Sequence, residues 1–340
     1  MSDDRAALSA PAKILWVKAK AGMGNRLLAL STAHVYAQLS RRALYVDWSD
    51  ATYSSDGKNV FQSLFFSDDI LNEAPKVDES TTVVPAIWKN RLGMSVNHLI
   101  DLFDPDKHSA KNIWRKHSIN LRRTDYSEQI AVYWSFSSHL REMSAGMKEN
   151  PRYGGKSEKQ IIADIYTNRI KLHPAIQEKV EKFAADHTLR EAIGLHIRYM
   201  DKKASIRDFL PRLDKIVREN PGARIFLATD NLEAERIIRK DYPRVITTPK
   251  WYPETGSSMH QNPECPDKLQ NAIEALTDMY LLARCRWLIF PGRSTFSLIS
   301  SLISDAPSEN IYDVDRWQLK SVLRSTGNFV ADAVGAAFHR

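Results

Sequence analysis

Apolar and polar positions along this chain fall into patterned stretches at both ends and a middle without sustained period. Ile14-Leu15-Trp16-Val17 is a short apolar run, Gly22-Met23-Gly24 breaks it, and the Leu- and Ala-rich stretch from Arg26 to Leu39 predicts a helix. Ala43-Leu44-Tyr45-Val46, closed by Asp47, is a second apolar run. Strand, glycine loop, helix and strand in that order make a βαβ unit, which builds parallel sheet. From Ala51 to about Lys156 aromatic and polar patches show no period, and no elements are predicted. Lys156 to Asp186 then reads as helical, with Ile161, Ile162, Ile165 and Tyr166 spaced for one face.

From Ala192 strands and helices alternate cleanly. Strands are expected at Ile193–Arg198, Arg224–Thr229, Val245–Thr248 and Trp287–Phe290. Helices are expected at Ile206–Arg218, Leu232–Lys240, Asn271–Arg284 and Thr295–Ile303. Pro249 to Lys268 is a long proline-rich loop, and loops of that length inside a compact domain are usually functional. The order fits an α/β protein of two Rossmann-like halves joined near residue 188: a short tail over 1–12, an N-terminal domain over 13–188 and a C-terminal domain over 189–340.

Composition narrows the class. Forty-three per cent hydrophobic and 26% charged residues exclude wholesale disorder. The only two cysteines, Cys265 and Cys285, lack zinc-site clustering and are too few for an extracellular scaffold, so a reducing compartment is expected. The polar start Met1-Ser2-Asp3-Asp4 does not read as a secretory signal, and no apolar run is long enough to span a membrane; the expectation is a cytoplasmic protein. The net charge is +7, and Lys107, Lys111, Arg115, Lys116, Arg122 and Arg123 form a basic stretch without an acid. A solvated face explains such a run, as does attraction to phosphate or to an anionic membrane surface.

The candidate chemistry gathers at strand ends. In Ile193–Arg198, His196 and Arg198 share the face opposite Ile193, Leu195 and Ile197. Arg198 ends its strand, Asp230 follows Phe226-Leu227-Ala228-Thr229, and Ser294 with Thr295 follows Trp287–Phe290. Open parallel sheets bind ligands outside those carboxyl ends. Each residue also has a structural explanation: His-x-Arg as a paired strand motif, Thr-Asp-Asn and Ser-Thr as helix caps. A capped helix start is equally a phosphate cradle, and Gly24, Asn25 and Arg26 after the first strand offer a second one. Asp313-Val314-Asp315 and Asp104-Pro105-Asp106 match the Asp-x-Asp pattern of metal-dependent sugar transferases, but neither has a supporting ligand cluster, and no metal site is assigned. Neither a nucleophile elbow nor a P-loop occurs.

Several of these segments resemble a known family. Arg42-Ala43-Leu44-Tyr45-Val46-Asp47-Trp48 resembles the second strand of the rhizobial nodulation fucosyltransferases. Gly194-Leu195-His196-Ile197-Arg198 and Phe226-Leu227-Ala228-Thr229-Asp230 resemble the first two donor-binding motifs of the α1,6-fucosyltransferase superfamily. The stretch Ala275 to Cys285, with Phe290-Pro291 and Ser294, is similar to the third. The resemblance implies a GT-B-like fold, inverting transfer from GDP-fucose to a hydroxyl of a bacterial glycan or lipo-oligosaccharide, and no metal or other cofactor. It carries Arg198, Ser294 and Thr295 over as donor-phosphate contacts, His196 and Asp278 for the guanosine end, and Asp230 in an unspecified donor role. The N-terminal domain then becomes the acceptor side. Two departures stand out: Tyr199 replaces a second arginine, and Ile206 stands where eukaryotic relatives place a catalytic glutamate. The base must then be Asp208 or Asp201, with Asp208 preferred because a carboxylate beside Arg198 is the poorer base. Two other classes stay open: a GDP-sugar-binding protein without turnover, and a nucleic-acid binder using the basic stretch and Trp114. Motif coverage favours transfer and no nucleic-acid partner.

Overall fold

A computed structural model describes residues 13–199, 205–253 and 262–317. The chain divides into two compact units, one of residues 1–176 and 267–272, the other of residues 177–266 and 273–340. The sequence puts the join near residue 188; the chain leaves the first unit after Ile176.

In the first unit β1 (Ile14–Lys18), α1 (Met23–Ser40) and β2 (Ala43–Asp47) form the expected βαβ unit, with Ile14 opposite Ala43 and Lys18 opposite Asp47. Two strands come from the stretch without period: β3 (Val83–Val84) and β4 (Ile130–Tyr133). The sheet order is β2-β1-β4-β3, all parallel, so the order reverses between β1 and β4. Helix α1 is buried on nearly every side, which explains why its apolar residues run together instead of forming one stripe. It stops at Arg41 in the left-handed region (φ 53°), whose N–H bonds back to the carbonyls of Ala37 and Gln38.

The helical stretch expected from Lys156 to Asp186 is broken. A helix over Glu158–Asp164, opened by a Ser157/Gln160 capping box, loosens into a π-turn at Ile165–Arg169. Lys171–Leu172 then pairs antiparallel with Phe65–Phe66, and α2 (Pro174–Asp186) starts afresh. Pro174 disfavours helical geometry at His173, so one continuous helix is not available to this sequence.

The second unit holds β5 (Ile193–Ile197), α3 (Leu210–Glu219), β6 (Ile225–Thr229), α4 (Leu232–Asp241), β7 (Val245–Ile246), β8 (Trp287–Phe290), α6 (Thr295–Leu302) and β9 (Ile311–Asp313), with α5 (Lys268–Ala283) preceding β8. Its sheet is parallel throughout, in the order β9-β8-β5-β6-β7. The order reverses between β5 and β8, as in a doubly wound Rossmann sheet. Ile193, Leu195, Ile197, Ile225, Leu227 and Ile289 are fully buried against Leu213, Ile216 and Ile238 of the covering helices. Each such side chain contributes roughly 1.5–3 kcal/mol. Gly194 sits where a Cβ would lie 3.0 Å from the Cβ of Cys285, so only glycine lets the segment closing α5 approach β5 this closely.

Candidate functional site

The carboxyl ends of β5, β6, β7 and β8 form one rim of the second unit, and the sequence-predicted residues lie along it. His196, next to last in β5, is 6% exposed, and its ring stacks on Phe296 of α6 at 5.0 Å. Its Nδ1 has no hydrogen-bond partner among the described residues. Burial, then the nearby Arg198 and Lys250 cations, push its pKa down to about 3, so the ring is neutral at physiological pH. Arg198 follows β5 and is half-buried. Asp230, after β6, accepts the Tyr199 N–H at 2.8 Å and so ties down the segment that carries Arg198. The cap of α4 is Asn231, whose side chain accepts from the Ala234 N–H; the capping explanation thus belongs to Asn231.

Asp278 reaches the rim from α5. Its Oδ1 accepts from the Thr248 hydroxyl at 2.5 Å and its Oδ2 pairs with Lys250, the two charged side chains being 7% and 3% exposed. Thr248 and Lys250 follow β7, which ends at Ile246; the sequence puts Thr248 at the end of the expected strand and Lys250 in the proline-rich loop. Their signal is position alone: they lie just past the carboxyl end of a parallel strand, like Asp230 and Ser294.

At β8 the chain turns through Pro291–Ser294 into α6. Ser294 is the N-cap residue, 3% exposed, yet its Oγ makes no capping bond and has no hydrogen-bond partner among the described residues. Beside it, Thr295 is half-buried. The turn is clamped by the Asp-x-Asp triplet: Asp313 accepts the N–H groups of Gly292 (2.8 Å) and Asp315 (3.0 Å), and Asp315 accepts the Arg293 N–H at 2.8 Å and its guanidinium at 3.0 Å. A Cβ on Gly292 would lie 2.1 Å from an Asp313 carboxylate oxygen, so the clamp requires glycine. This triplet is spent on backbone. In the other, buried Asp104 accepts from Lys116 at 2.8 Å and lies 3.0 Å from His117 Nε2, while Asp106 is exposed.

Asp208 is exposed, closing a short 3-10 turn over Ile206–Asp208, near enough to Arg293 for the two charges to interact. Ile206 packs into the apolar core. Asp201 lies outside the described residues.

The glycine loop of the first unit is built differently. Arg26 is turned inward with its side chain fully buried; Nη1 and Nη2 grip Asp50 at 2.8 Å each, and Nε donates to the Ala21 carbonyl at 2.8 Å. Trp48 and Tyr53 flank the guanidinium, and the Tyr53 hydroxyl accepts the first helical N–H, that of Met23, at 2.9 Å. Asn25 donates to the Phe136 carbonyl at 2.6 Å, and Gly24 is buried. In the basic stretch Lys107 and Lys116 pair with Asp104, Arg115 with Glu142 and Arg123 with Asp125.

A parallel sheet reversing between β5 and β8, with polar groups along its carboxyl rim, is the doubly wound arrangement of a GT-B-like α/β protein. The fold is that of the crystal structure of fucosyltransferase NodZ from Bradyrhizobium (TM-score 0.59, 21% identity, 87% of this chain and 94% of that one). It is equally that of NodZ alpha-1,6-fucosyltransferase soaked with GDP-fucose (TM-score 0.59, 21% identity, 86% and 93%). The Nodulation protein Z family model matches residues 155–323. Nodulation protein Z of Azorhizobium caulinodans is 24% identical over 87% of this chain and 89% of its own length. The chain is NodZ-like.

Proposed function

We propose that this protein is an inverting, metal-independent fucosyltransferase, moving fucose from GDP-fucose to a hydroxyl of a bacterial glycan or lipo-oligosaccharide. The observation that carries the reading is a pair of buried polar atoms without a hydrogen-bond partner among the described residues, His196 Nδ1 in β5 and Ser294 Oγ in the turn after β8, at the reversal of the sheet. Buried polar groups are nearly always hydrogen-bonded, so two orphans at a nucleotide-binding position await a ligand. The named relatives, one soaked with GDP-fucose, supply the donor class.

Arg198, Ser294, Thr295 and the first amides of α6 would hold the donor diphosphate and stabilise the charge it develops on leaving. Asp278 retains lone pairs beyond those used by Thr248 and Lys250, enough to accept from a guanine edge. Asp313 and Asp315 are committed to the turn before α6, and the described residues supply the rim with side-chain cations, Arg198 and Lys250. The sugar passes through an oxocarbenium-like state while a carboxylate takes the acceptor proton. Asp208 is assigned that role as the exposed acid beside the clamped turn. The first unit is assigned the acceptor; in its basic stretch Lys111 and Arg122 have no ion pair among the described residues, and peripheral contact with an anionic membrane would rest on those two.

The burial of Ile206 favours a second reading, a GDP-sugar-binding protein without turnover. A donor screen separates the two. Slow hydrolysis of GDP-fucose, weaker turnover of GDP-mannose, none of a UDP-sugar and indifference to EDTA are expected. Asp208→Asn should bind GDP within a few-fold of wild type and lose roughly 10²–10⁴-fold in transfer. GDP binding with no turnover of any donor would leave the second reading, and manganese-dependent activity would overturn the mechanism.

A further inference from the structure

The opposite rim of the second unit carries a feature that donor chemistry does not use. Trp287, Ile193, Ile225 and Val245 stand in register across β8, β5, β6 and β7. The row one residue earlier therefore reads Arg286, Ala192, Arg224 and Arg244, at the amino ends of the strands. Neighbouring strands lie about 4.8 Å apart, so Arg224 and Arg244 are adjacent and Arg286 is two strands away, all three in one row. They line a cavity of about 520 Å³ with His187 and Thr188, which follow α2. Among the described residues, Glu191 is the only acid lining it.

Several arginines elsewhere in this chain are neutralised: Arg284 by Glu181 and Asp305, Arg293 by Asp315, Arg239 by Glu235, Arg141 by Glu158. Among the described residues Arg224, Arg244 and Arg286 form no ion pair. Arg224 reaches only the ring of His187 at 3.4 Å, Arg244 the Gly222 carbonyl at 3.3 Å, and Arg286 lies over the Trp287 ring at 5.0 Å. Three like charges in one row repel one another, and the guanidinium fork is the side chain best matched to phosphate oxygens. The Trp287 ring and the Gly222 carbonyl hold two of the forks, Arg286 and Arg244, in place beforehand, which lowers the entropy lost when an anion binds.

We infer that this row is an anion site for a phosphate-bearing ligand, on the rim opposite the one that carries His196 and Ser294. Phosphate could arrive as a soluble phosphorylated compound or as the headgroup of an anionic phospholipid.

The test uses the full chain with GDP kept saturating, so that the rim bearing Arg198 does not report. Inorganic pyrophosphate is titrated by calorimetry, and the protein is co-sedimented with vesicles of phosphatidylglycerol or of phosphatidylcholine. The comparison is between wild type, the variant Arg224→Gln/Arg244→Gln/Arg286→Gln, and a charge-matched control of exposed lysines, Lys76→Gln/Lys148→Gln/Lys159→Gln. Each arginine near a phosphate surface is worth roughly fivefold, so the arginine triple should weaken binding by about 10²-fold and the control by only a few-fold. Pyrophosphate binding without vesicle binding assigns the site to a soluble phosphate compound; phosphatidylglycerol-selective sedimentation lost in the arginine triple assigns it to lipid. No binding of either probe, or equal losses in the two triples, overturns the inference. A circular dichroism melt verifies that the arginine triple is folded; were it not, the single variant Arg286→Gln should still weaken binding several-fold, and wild-type affinity there overturns the inference too.

Discussion

In the first unit the chain leaves β1, at the reversal of the sheet, through a glycine loop into α1; in the second it leaves β8, also at the reversal, through a glycine turn into α6. The first junction closes on itself. Arg26 is matched oxygen for nitrogen by Asp50, and the Tyr53 hydroxyl takes the leading N–H of the helix. The second is clamped from outside by Asp313 and Asp315, and its Ser294 hydroxyl, with the His196 ring nitrogen on the neighbouring strand, is left without a hydrogen-bond partner among the described residues. The glycine loop has the more suggestive sequence, an amide and a cation after two glycines. The difference teaches that a loop of this kind is a ligand cradle only when its donors are not already consumed, and what consumes them lies elsewhere in the chain.

If the first junction is structural, breaking it should cost stability and spare the ligand. Arg26→Met leaves Asp50 buried without its cation and should lower unfolding stability by about 3–5 kcal/mol in urea titrations. Arg26→Met/Asp50→Leu should recover most of that, since an apolar pair leaves no uncompensated charge. An Arg26→Met protein as stable as wild type would mean that the guanidinium is not holding the loop.

A smaller effect comes from His196. Its folded pKa is depressed to about 3, whereas the unfolded chain takes up the proton near 6.5. Between those values the unfolded state binds more protons, so this contribution to stability is complete above 6.5 and is lost as pH falls toward 3. His196→Gln should therefore flatten the acid side of the stability curve, by about 1–2 kcal/mol near pH 5 relative to wild type. Parallel curves for the two proteins would show that the ring titrates freely and is not held neutral at the rim.

Much of the second unit was legible because its strands are buried on both faces and read as unbroken apolar runs, Ile193–Ile197 and Ile225–Thr229 among them. The first unit was legible only where α1 and its flanking strands made a local pattern. Its central strand β4 is a four-residue run, Ile130-Ala131-Val132-Tyr133, whose neighbour β1 lies more than a hundred residues back, so no periodicity announces it. The same holds for the sites. His196, Arg198 and Ser294 follow from strand parity and strand ends. Lys250 and Thr248 were missed because their partner Asp278 is thirty residues away on a helix. The Asp313 triplet resembled a metal motif because its use as a backbone acceptor depends on β9 lying beside β8.

The central claim is that the open junction, and not the closed one, receives the donor diphosphate. Calorimetric titration with GDP of wild type, Arg198→Ala, Ser294→Ala and Arg26→Met tests it directly. Loss of one charge-assisted contact is worth roughly 1.5–3 kcal/mol, so Arg198→Ala should bind GDP about ten- to a hundredfold more weakly. Ser294→Ala should lose several-fold, and Arg26→Met, at a temperature where it stays folded, should bind as wild type does. Wild-type affinity in Arg198→Ala together with lost affinity in folded Arg26→Met would contradict the account and place the nucleotide in the first unit.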